Sequence, residues 1–321
     1  MQEVGEMVVL VTGGSGYIGS LLIRTLPKVR EFEGATIRVL DNMASGKYYS
    51  LFDLPEAARY EFVLGDIRDE GDVRRALKDV EVVFDLAGIT SVPLSFKDEK
   101  GTMEVNVEGA RRLLEAASSA GVERIVYSSS AAVYGNVSGF VKEDHPCNPA
   151  SPYAKSKLLA ERLYLEACEE WGLKVAILRL GTVYGFAPGM RFDTVVNKFV
   201  FLACIGSPLT VWRGAEECYR PYLYVGDAVN ALIFASHKSE MVGNIYNVVT
   251  ENAKLREVID AITSSIPSVE VRYVEAPYKQ QVSYGLDDSK IRSLGFEPQG
   301  SLKRGIKEIA EHFSAFITTS S

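Results

Sequence analysis

The sequence predicts an α/β fold, in which a doubly wound parallel sheet is followed by a smaller C-terminal α+β region. Three observations predict it. Short runs rich in Val, Ile and Leu alternate with amphipathic runs across the first 180 residues. The apolar runs are continuous, as in parallel strands covered on both faces, rather than alternating with polar side chains. A cluster of glycines directly follows the first run, where a strand would turn into a helix.

The apolar runs set the order of the predicted elements. We expect strands at residues 8–13, 35–41, 60–66, 80–88, 124–130 and 173–180. An amphipathic run, 105–121, ends on a glycine suited to stopping a helix. Beyond residue 180 the pattern is interrupted by Gly and Pro, and the later predicted elements are a helix at 256–265, a strand at 269–274 and a helix from about Ser301. We therefore predict a first domain, 1–180, and a second region, 181–321, interleaved with it.

Composition and charge argue against several classes of protein. The 321-residue chain has a net charge of −7, and its basic residues are interleaved with acids, which disfavours a nucleic-acid backbone as the partner. The first apolar run is far too short to span a membrane. Three histidines and four scattered cysteines make no convincing metal site and favour free thiols in a reducing compartment. We expect a cytoplasmic, metal-free protein that binds neither nucleic acid nor membrane.

The stretch TGGSGYIGS, residues 12–20, fits two phosphate-binding patterns. Gly14, Gly16 and Gly19 spell G-x-G-x-x-G, whereas Gly13, Gly16 and Gly19 spell G-x-x-G-x-x-G. In both patterns, glycines after a strand let backbone N–H groups approach a pyrophosphate at the start of a helix. The stretch alone does not choose between the two registers, or between a phosphate site and an ordinary tight turn.

Two acidic residues at strand ends indicate a dinucleotide. Asp41 ends the second strand about 20 residues beyond the glycines, the position of a carboxylate that binds the adenosine ribose. No arginine directly follows to meet a 2′-phosphate, which favours NAD over NADP. Asp66 ends the third strand and, with Ile67, is placed to contact adenine, although it could equally cap the next helix. We therefore predict a Rossmann-type NAD site.

A tyrosine and a lysine are spaced for acid–base chemistry. In SPYAKSK, Tyr153 and Lys157 lie one helical turn apart on the same face. A neighbouring ammonium favours the phenolate, so we expect it to lower the pKa of Tyr153 from the usual value of about 10. Ser128, Ser129 and Ser130 end the preceding strand, and any of them could offer a hydroxyl to the tyrosine. The simpler alternative is an exposed i,i+4 pair and serines that only form a turn.

Taken in order, these motifs resemble the extended short-chain dehydrogenases/reductases. The glycine turn, Asp41, GDI, AG at 87–88, VNVEG, SSSAAVYG and SPYAKSK follow one another as they do in that family. Within it, the chain is most similar to the NAD-dependent nucleotide-sugar epimerases and dehydratases, and among these to UDP-galactose 4-epimerases. The resemblance covers nearly the whole chain. It implies the G-x-x-G-x-x-G register, with Gly14 outside the motif, and it assigns NAD to 1–180 and a nucleotide sugar to 181–321.

The resemblance also implies roles for individual residues. Ser130 corresponds to the hydroxyl that bonds the reacting sugar oxygen, Tyr153 to the acid and base, and Lys157 to the lysine that holds the nicotinamide ribose and lowers the tyrosine pKa. The residues implied to bind NAD are Gly13, Gly16, Tyr17, Ile18, Asp41, Asn42, Ser45, Gly46, Asp66, Ile67, Leu86, Ala87, Gly88, Asn106, Ser128, Tyr153 and Lys157. Those implied to bind the substrate are Ser130, Thr182, Trp212, Arg220 and Tyr284.

On the substrate side, the resemblance implies a UDP-linked sugar. It places Arg220 on the nucleotide diphosphate and Trp212 against the base. Tyr284 corresponds to a residue that limits the sugar pocket, where its bulk would disfavour N-acetyl sugars. The implied assembly is a homodimer that forms through helices near 100–120 and 155–170.

The chain departs from the family at several substrate-side positions. Thr182 stands in place of a family asparagine, and Thr90 in place of a lysine of the 4-epimerases. A second phosphate arginine and a nearby acid are replaced by Pro277 and Gln280. Lys279 could supply the missing charge, but without the bidentate geometry of an arginine.

Two alanines reduce the number of reactions that the resemblance allows. Family dehydratases carry an Asp–Glu pair after the catalytic hydroxyl residue, whereas Ala131 and Ala132 follow Ser130 here. Alanine transfers no proton, which leaves a set suited to oxidation and re-reduction of one carbon. We expect Tyr153 to deprotonate the hydroxyl at sugar carbon 4, hydride to pass to NAD⁺, and the 4-keto sugar to be reduced on its other face. Two alternatives stay open, a sugar oxidoreductase with net hydride transfer and an NAD-binding regulatory protein without turnover.

Overall fold

The computed structural model describes residues 7–275 and 282–316, and a sheet of seven parallel strands lies at its centre. The strands in chain order are β1 (Val8–Thr12), β2 (Thr36–Asp41), β3 (Arg59–Leu64), β4 (Val82–Asp85), β5 (Arg124–Ser130), β6 (Ser138–Val141), β7 (Val175–Leu180), β8 (Thr182–Tyr184), β9 (Leu209–Trp212), β10 (Tyr219–Tyr224), β11 (Asn244–Val248), β12 (Glu251–Lys254), β13 (Val271–Val274) and β14 (Ser283–Leu286).

The seven strands of the main sheet follow the order β3–β2–β1–β4–β5–β7–β11. All neighbouring pairs are parallel, and the register places Thr12 opposite both Leu40 and Asp85. The strand order reverses between β1 and β4, and a crevice at their carboxyl ends is the usual ligand site of such sheets. The predicted doubly wound sheet is confirmed, and its first six strands lie where the apolar runs predicted them.

Helices cover both faces of this sheet. The helices of the described residues are α1 (Tyr17–Thr25), α2 (Glu70–Ala76), α3 (Val92–Lys97), α4 (Glu99–Met103), α5 (Gly109–Ala120), α6 (Pro152–Trp171), α7 (Val195–Cys204), α8 (Val225–His237), α9 (Leu255–Ser265), α10 (Ser289–Arg292) and α11 (Leu302–His312). Helices α1 and α8 pack on one face, and α2, α5 and α6 pack on the other. Within the described ranges, no helix combines the length and apolar character needed to cross a membrane.

The helix predicted at 105–121 has an irregular start. A π-helical turn, Glu104–Glu108, precedes α5, which ends at Gly121 with a left-handed φ of 74°. The wider turn allows a residue within it to point at the neighbouring loop rather than along the regular helix face, which becomes important for Asn106.

After β7 the chain builds a smaller region and then returns to the main sheet. Strands β8, β10 and β12 form a three-stranded sheet, β9 pairs with β13, and β6 pairs with β14. Helices α7, α9 and α11 share a second buried apolar cluster with β10. The predicted helix at 256–265, strand at 269–274 and final helix are confirmed as α9, β13 and α11. Strand β11 adds to the edge of the main sheet beside β7.

Three glycines, two in the turn after β1 and one in the first turn of α1, stand where a side chain would clash. Gly13 has a φ of 65°, and a Cβ there would lie 2.9 Å from the Ala87 nitrogen. A Cβ on Gly19 would lie 2.5 Å from the Gly13 carbonyl oxygen. Gly14 is constrained too, since its Cβ would come within 2.8 Å of a methyl group of Val39. Gly14, which the resemblance leaves outside the motif, therefore also has no room for a side chain, because Val39 of β2 lies against it.

We expect Gly13→Ala to destabilise the fold by about 3 kcal/mol, because a left-handed backbone and a clash with the segment after β4 act together. Gly34 provides a matched control, since its φ is 76° but a Cβ there meets open space. Gly34→Ala should cost only about 1 kcal/mol. Chemical denaturation of both variants measures the difference, and equal losses would show that the close approach to Ala87 is unimportant.

Candidate active site

A cavity of about 750 Å³ opens at the carboxyl ends of β1 to β5 and β7. Most of the predicted binding residues line it, namely Gly13, Gly16, Tyr17, Ile18, Asp41, Asn42, Ser45, Asp66, Ile67, Leu86, Ala87, Gly88, Ser128, Ser130, Tyr153, Lys157, Thr182 and Tyr284. Four predicted residues lie outside its wall, namely Gly46, Asn106, Trp212 and Arg220. The topology thus gathers segments that are far apart in the sequence around one elongated space.

One end of the cavity is formed by Asp41 at the end of β2. One carboxylate oxygen of Asp41 accepts hydrogen bonds from the Ser15 N–H at 3.0 Å and the Ser15 hydroxyl at 2.5 Å. The other accepts from the Met43 N–H at 2.8 Å. Gly46 closes the turn that follows and is not among the residues that line the cavity, so its contact with a cofactor stays a prediction.

Asp66 lies beside Asp41 at this same end. Arg68 donates to both carboxylate oxygens of Asp66, at 2.9 and 2.8 Å, and Asn42 donates to one of them at 3.0 Å. These hydrogen bonds, led by those from Arg68, hold the pKa of Asp66 well below its usual range. The charge of Asp98 acts on Arg68 as well, which places this third acid of the cavity wall at the same end.

The glycine turn is covered by residues 185–193, which we call the covering segment. The hydroxyl of Tyr17 donates to the Gly185 carbonyl at 2.5 Å, and the Gly189 N–H donates to the Ser20 hydroxyl at 2.9 Å. A Cβ on Gly189 would lie 2.5 Å from the Gly16 carbonyl oxygen, so backbone packs directly on backbone. The side chain of Tyr17 therefore holds the covering segment over the start of α1.

The covering segment carries a cation that the sequence analysis did not identify. Arg191 lines the cavity, donates to the Thr90 hydroxyl, and pairs with Asp193 at 2.8 Å. Its charge acts on the Tyr153 phenol. Lys47 anchors the same segment by donating to the Gly189 carbonyl at 2.6 Å. No local pattern marks Arg191, because only the docking of the covering segment brings it to the site.

The three serines at the end of β5 point in different directions. Ser128 donates to the Asp85 carbonyl at 3.0 Å, and Ser129 donates to a Glu161 carboxylate oxygen at 2.5 Å. The Ser130 hydroxyl accepts the Ala132 N–H at 3.2 Å and acts on the Tyr153 phenol, where it opposes the rise in the pKa. The structure thus decides what the sequence left open, and Ser130 is the partner of the tyrosine.

Tyr153 and Lys157 lie in the first turns of α6, which is capped by Ser151 and begins with a proline. Burial raises the pKa of Tyr153, although the Ser130 hydrogen bond and the charge of Arg191 oppose the rise. The expected lowering of this pKa is therefore wrong, because the Lys157 ammonium donates to the Ser128 carbonyl at 2.8 Å and removal of the phenol from water dominates. Burial also lowers the pKa of Lys157 to about 8.

Asn106 is predicted to lie near the cofactor, but it acts from behind the cavity wall. From the π-helical turn, its side chain accepts the Ile89 N–H at 2.8 Å and donates to the Ile89 carbonyl at 3.0 Å. It also donates to Ser156 at 2.8 Å, and Ser156 donates to the Tyr153 carbonyl at 2.8 Å. Asn106 therefore ties the loop after β4 to the helix that carries Tyr153.

Only some of the residues predicted to bind the substrate line the cavity. Tyr284 lines the cavity, and burial raises its pKa, opposed by the charge of nearby Arg220. Arg220 itself donates to the Tyr219 carbonyl at 3.0 Å and is not among the residues that line the cavity. Trp212 is exposed on β9 and is not among the residues that line the cavity. Pro277, Lys279 and Gln280 lie outside the described residues.

The residues present fit NAD. Helix α1 begins at Tyr17 directly after Gly16, so no side chain caps the N–H groups of its first turn. Such a helix start attracts a pyrophosphate. A side chain at Gly13 would clash with Leu86 and Ala87, so the turn presents backbone rather than a side chain at this part of the cavity wall. Asp41 ends β2 on the wall of the same cavity, where a carboxylate can bind the hydroxyl groups of an adenosine ribose.

Comparison with known proteins agrees with this geometry. Residues 9–248 match the model of the NAD dependent epimerase/dehydratase family. The chain belongs to this family. It is 32% identical to UDP-glucose 4-epimerase of Mycolicibacterium smegmatis over 96% of this chain and 98% of that protein. It is 33% identical to dTDP-D-glucose 4,6-dehydratase of Mus musculus over 95% of this chain and 88% of that protein.

A solved structure shows the same architecture. The UDP-glucose 4-epimerase of Thermus thermophilus in complex with NAD superposes with a TM-score of 0.81 at 33% identity, over 96% of this chain and 99% of that one. The protein is thus an enzyme of the epimerase/dehydratase family, with NAD as its cofactor. The relatives include both epimerases and dehydratases, so family membership does not by itself choose the reaction.

A buried ion pair contacts β5, the strand that ends in Ser128, Ser129 and Ser130. Arg179 donates to both carboxylate oxygens of Glu161, at 3.0 and 2.8 Å, and both side chains are almost fully buried. Glu161 in turn accepts the Ser129 hydroxyl. The pair therefore connects β7, α6 and the strand that ends in Ser130.

We expect Arg179→Met to destabilise the protein by about 3–5 kcal/mol, because it leaves a carboxylate buried without its cation. Arg74→Met is the control, since Arg74 pairs with Glu70 on an exposed helix surface and its loss should leave the free energy of unfolding nearly unchanged. Urea denaturation measures both values. A loss below about 1 kcal/mol for Arg179→Met would contradict the assigned importance of the buried pair.

Proposed function

We propose that the protein is an NAD-dependent 4-epimerase of a nucleotide sugar of the UDP-glucose/UDP-galactose type. The observation that carries this proposal is the pairing of Ser130 with Tyr153 beside two alanines. Ala131 and Ala132 line the cavity directly after Ser130, and their methyl groups transfer no protons. We therefore assign proton transfer at the reacting carbon to the hydroxyl groups of Ser130 and Tyr153.

The distribution of acids along the cavity supports epimerisation over dehydration. Among the described residues of its wall, the carboxylates are Asp41, Asp66 and Asp98. All three lie at the end formed by β2 and β3, where Asp66 and Asp98 act on Arg68. Loss of water from a sugar needs an acid beside the leaving hydroxyl. The described residues around Tyr153 include serine, alanine, threonine and arginine instead.

The proton chemistry of the proposed reaction belongs to Tyr153. NAD, when bound, supplies a hydride acceptor and, once reduced, a hydride donor. The Tyr153 phenolate takes the proton of the 4-hydroxyl group and later returns it to the re-reduced carbon's oxygen, while Ser130 holds that oxygen by a hydrogen bond. Since burial raises the pKa of Tyr153, the phenolate fraction and the rate should rise with pH through the neutral range. The rise should end where Lys157, with a pKa of about 8, loses its proton.

We further propose that 1–180 bind NAD and that 181–321 bind the nucleotide sugar, with UDP as the nucleotide. Thr182 and Tyr284 line the same cavity as Tyr153, which supports their role at the sugar. The proposed homodimer draws support from apolar side chains on α3, where Leu94 is 47% and Phe96 63% exposed next to α6. Sedimentation velocity should give the mass of two chains.

Tyr153→Phe should lower kcat for interconversion of UDP-glucose and UDP-galactose by at least about a hundredfold, because phenylalanine carries no proton. Tyr127→Phe is the control, since it removes a buried hydroxyl group that has no hydrogen-bond partner among the described residues. Full activity of Tyr153→Phe would refute the assigned acid–base role.

Ligand analysis of the purified wild-type protein separates the alternatives. The epimerase should retain NAD and interconvert the two sugars without added cofactor and without net NADH formation. Steady NADH accumulation would instead indicate the oxidoreductase. A protein that holds NAD but is inert toward a panel of nucleotide sugars would indicate the regulatory role.

A further inference from the structure

A buried carboxylate beneath the site has no part in the proton transfers described above. Asp85 ends β4, is 2% exposed, and lies under the segment 86–88 of the cavity wall. Its neighbours come from three directions, with Thr12 on β1, Tyr164 on α6 and Ser128 on β5. A carboxylate held at this junction without solvent is costly unless its charge is compensated.

The hydrogen bonds around Thr12 fix which atoms carry protons. Its hydroxyl oxygen accepts two backbone N–H groups, those of Leu86 and Ala87, each at 3.1 Å. A threonine hydroxyl has two lone pairs and one hydrogen, so both lone pairs are used. The remaining hydrogen must point to the Asp85 oxygen that lies 2.5 Å away. This carboxylate oxygen is therefore an acceptor and carries no proton.

The second oxygen of Asp85 contacts Tyr164, and the rings of Tyr164 and Tyr127 lie between this oxygen and Lys157. The Tyr164 hydroxyl is hydrogen-bonded to this oxygen. The Tyr164 ring stacks on Tyr127 with centroids 4.2 Å apart, and the Lys157 ammonium lies 4.8 Å from the Tyr127 centroid on that ring's face. Burial raises the pKa of Asp85, whereas hydrogen bonds from Thr12 and Tyr164 and the charge of Lys157 oppose that rise. The Asp85 carboxylate and the Lys157 ammonium thus attract each other across the buried, stacked rings of Tyr164 and Tyr127.

The other charged and titratable groups near Lys157 are compensated or neutral. Glu161 also acts on the lysine, but its two oxygens are occupied by Arg179 at 3.0 and 2.8 Å. The phenols of Tyr127, Tyr153 and Tyr164 are neutral near pH 7, since burial raises the pKa of each. Asp85 is therefore the carboxylate whose charge is left to balance the buried ammonium.

We propose that Asp85 is ionised and is the buried counter-ion of Lys157, a positioning residue that keeps the lysine protonated where water is excluded. An ammonium moved from water into such a site readily loses its proton. A nearby anion opposes that loss, and the lysine in turn keeps the carboxylate ionised. The consequence for turnover, which rests on the proposed function, is that Asp85 sets the upper pH limit of the working Tyr153–Lys157 pair.

The reciprocal variant tests the charge state without any substrate. Lys157→Met removes the cation, so Asp85 should take up a proton at pH 7. Infrared difference spectroscopy against the wild type, both with NAD bound, should then show a new carboxylic acid C=O band, which disappears in the double variant Lys157→Met/Asp85→Asn. Lys47→Met is the matched control, because Lys47 is a half-buried lysine that donates to the carbonyls of Gly189 and Met190; it should give no such band.

Asp85→Asn supplies the second measurement. With the anion gone, the alkaline limb of the kcat–pH profile should move to lower pH by about one unit, a tenfold change in the proton equilibrium of Lys157. Asp227→Asn controls for stability, since Asp227 is an equally buried carboxylate that accepts from Thr250, Gln299 and Gly300 away from the lysine. It should leave the alkaline limb in place.

The outcomes separate this proposal from the proposed function. Absence of the new band in Lys157→Met would overturn the counter-ion assignment even if the protein is an active epimerase. So would a carboxylic acid band in the wild type that Asp85→Asn removes, a comparison that remains available if Lys157→Met does not fold. Appearance of the band in a protein that turns over no nucleotide sugar would support the assignment while refuting the epimerase.

Discussion

The hydrogen bonds that converge on Thr12 and Asp85 hold together the strands on which the site depends. Thr12 ends β1 and starts the glycine turn, and its hydroxyl takes the first two N–H groups after β4. Asp85 ends β4 and accepts from Thr12 and Tyr164, while its carbonyl accepts from Ser128. Three parallel strands and α6 are thereby fixed relative to one another at the edge where the cavity opens. A shift of any of them would displace the glycine turn, the segment 86–88 or Lys157.

Charged groups beneath the site form a second constraint. Lys157, Glu161, Arg179 and Asp85 are all nearly inaccessible to water. Burial of ions is expensive, and such networks persist only where each charge meets a partner and each proton has an acceptor. The arrangement satisfies that condition by pairing Glu161 with Arg179 and by aligning Asp85 with Lys157 through stacked tyrosines. This network holds α6, the helix that carries Tyr153 and Lys157, against β5 and β7.

The covering segment joins the two halves of the chain. It starts after β8, crosses the glycine turn and leads into α7. Hydrogen bonds with Tyr17, Ser20 and Lys47 hold it over the turn. Arg191 enters the cavity from it and contacts Thr90, the position at which UDP-galactose 4-epimerases are expected to carry a lysine. A positive charge therefore lies near Thr90 although no lysine stands there, and it belongs to Arg191, which is distant in the sequence.

The sequence by itself determined the sheet, the glycine turn, Asp41, and the spacing of Tyr153 and Lys157, because periodicity and local spacing are properties of neighbouring residues. The tertiary structure decided which serine faces the tyrosine, that Asn106 works from behind the wall, and that Arg191 and Asp85 belong to the site. It also reversed the expected pKa shift of Tyr153, since burial depends on everything packed around a group. Residues that lie far apart in the chain meet only after folding, and the chemistry of their side chains is set there by distance and by the exclusion of water.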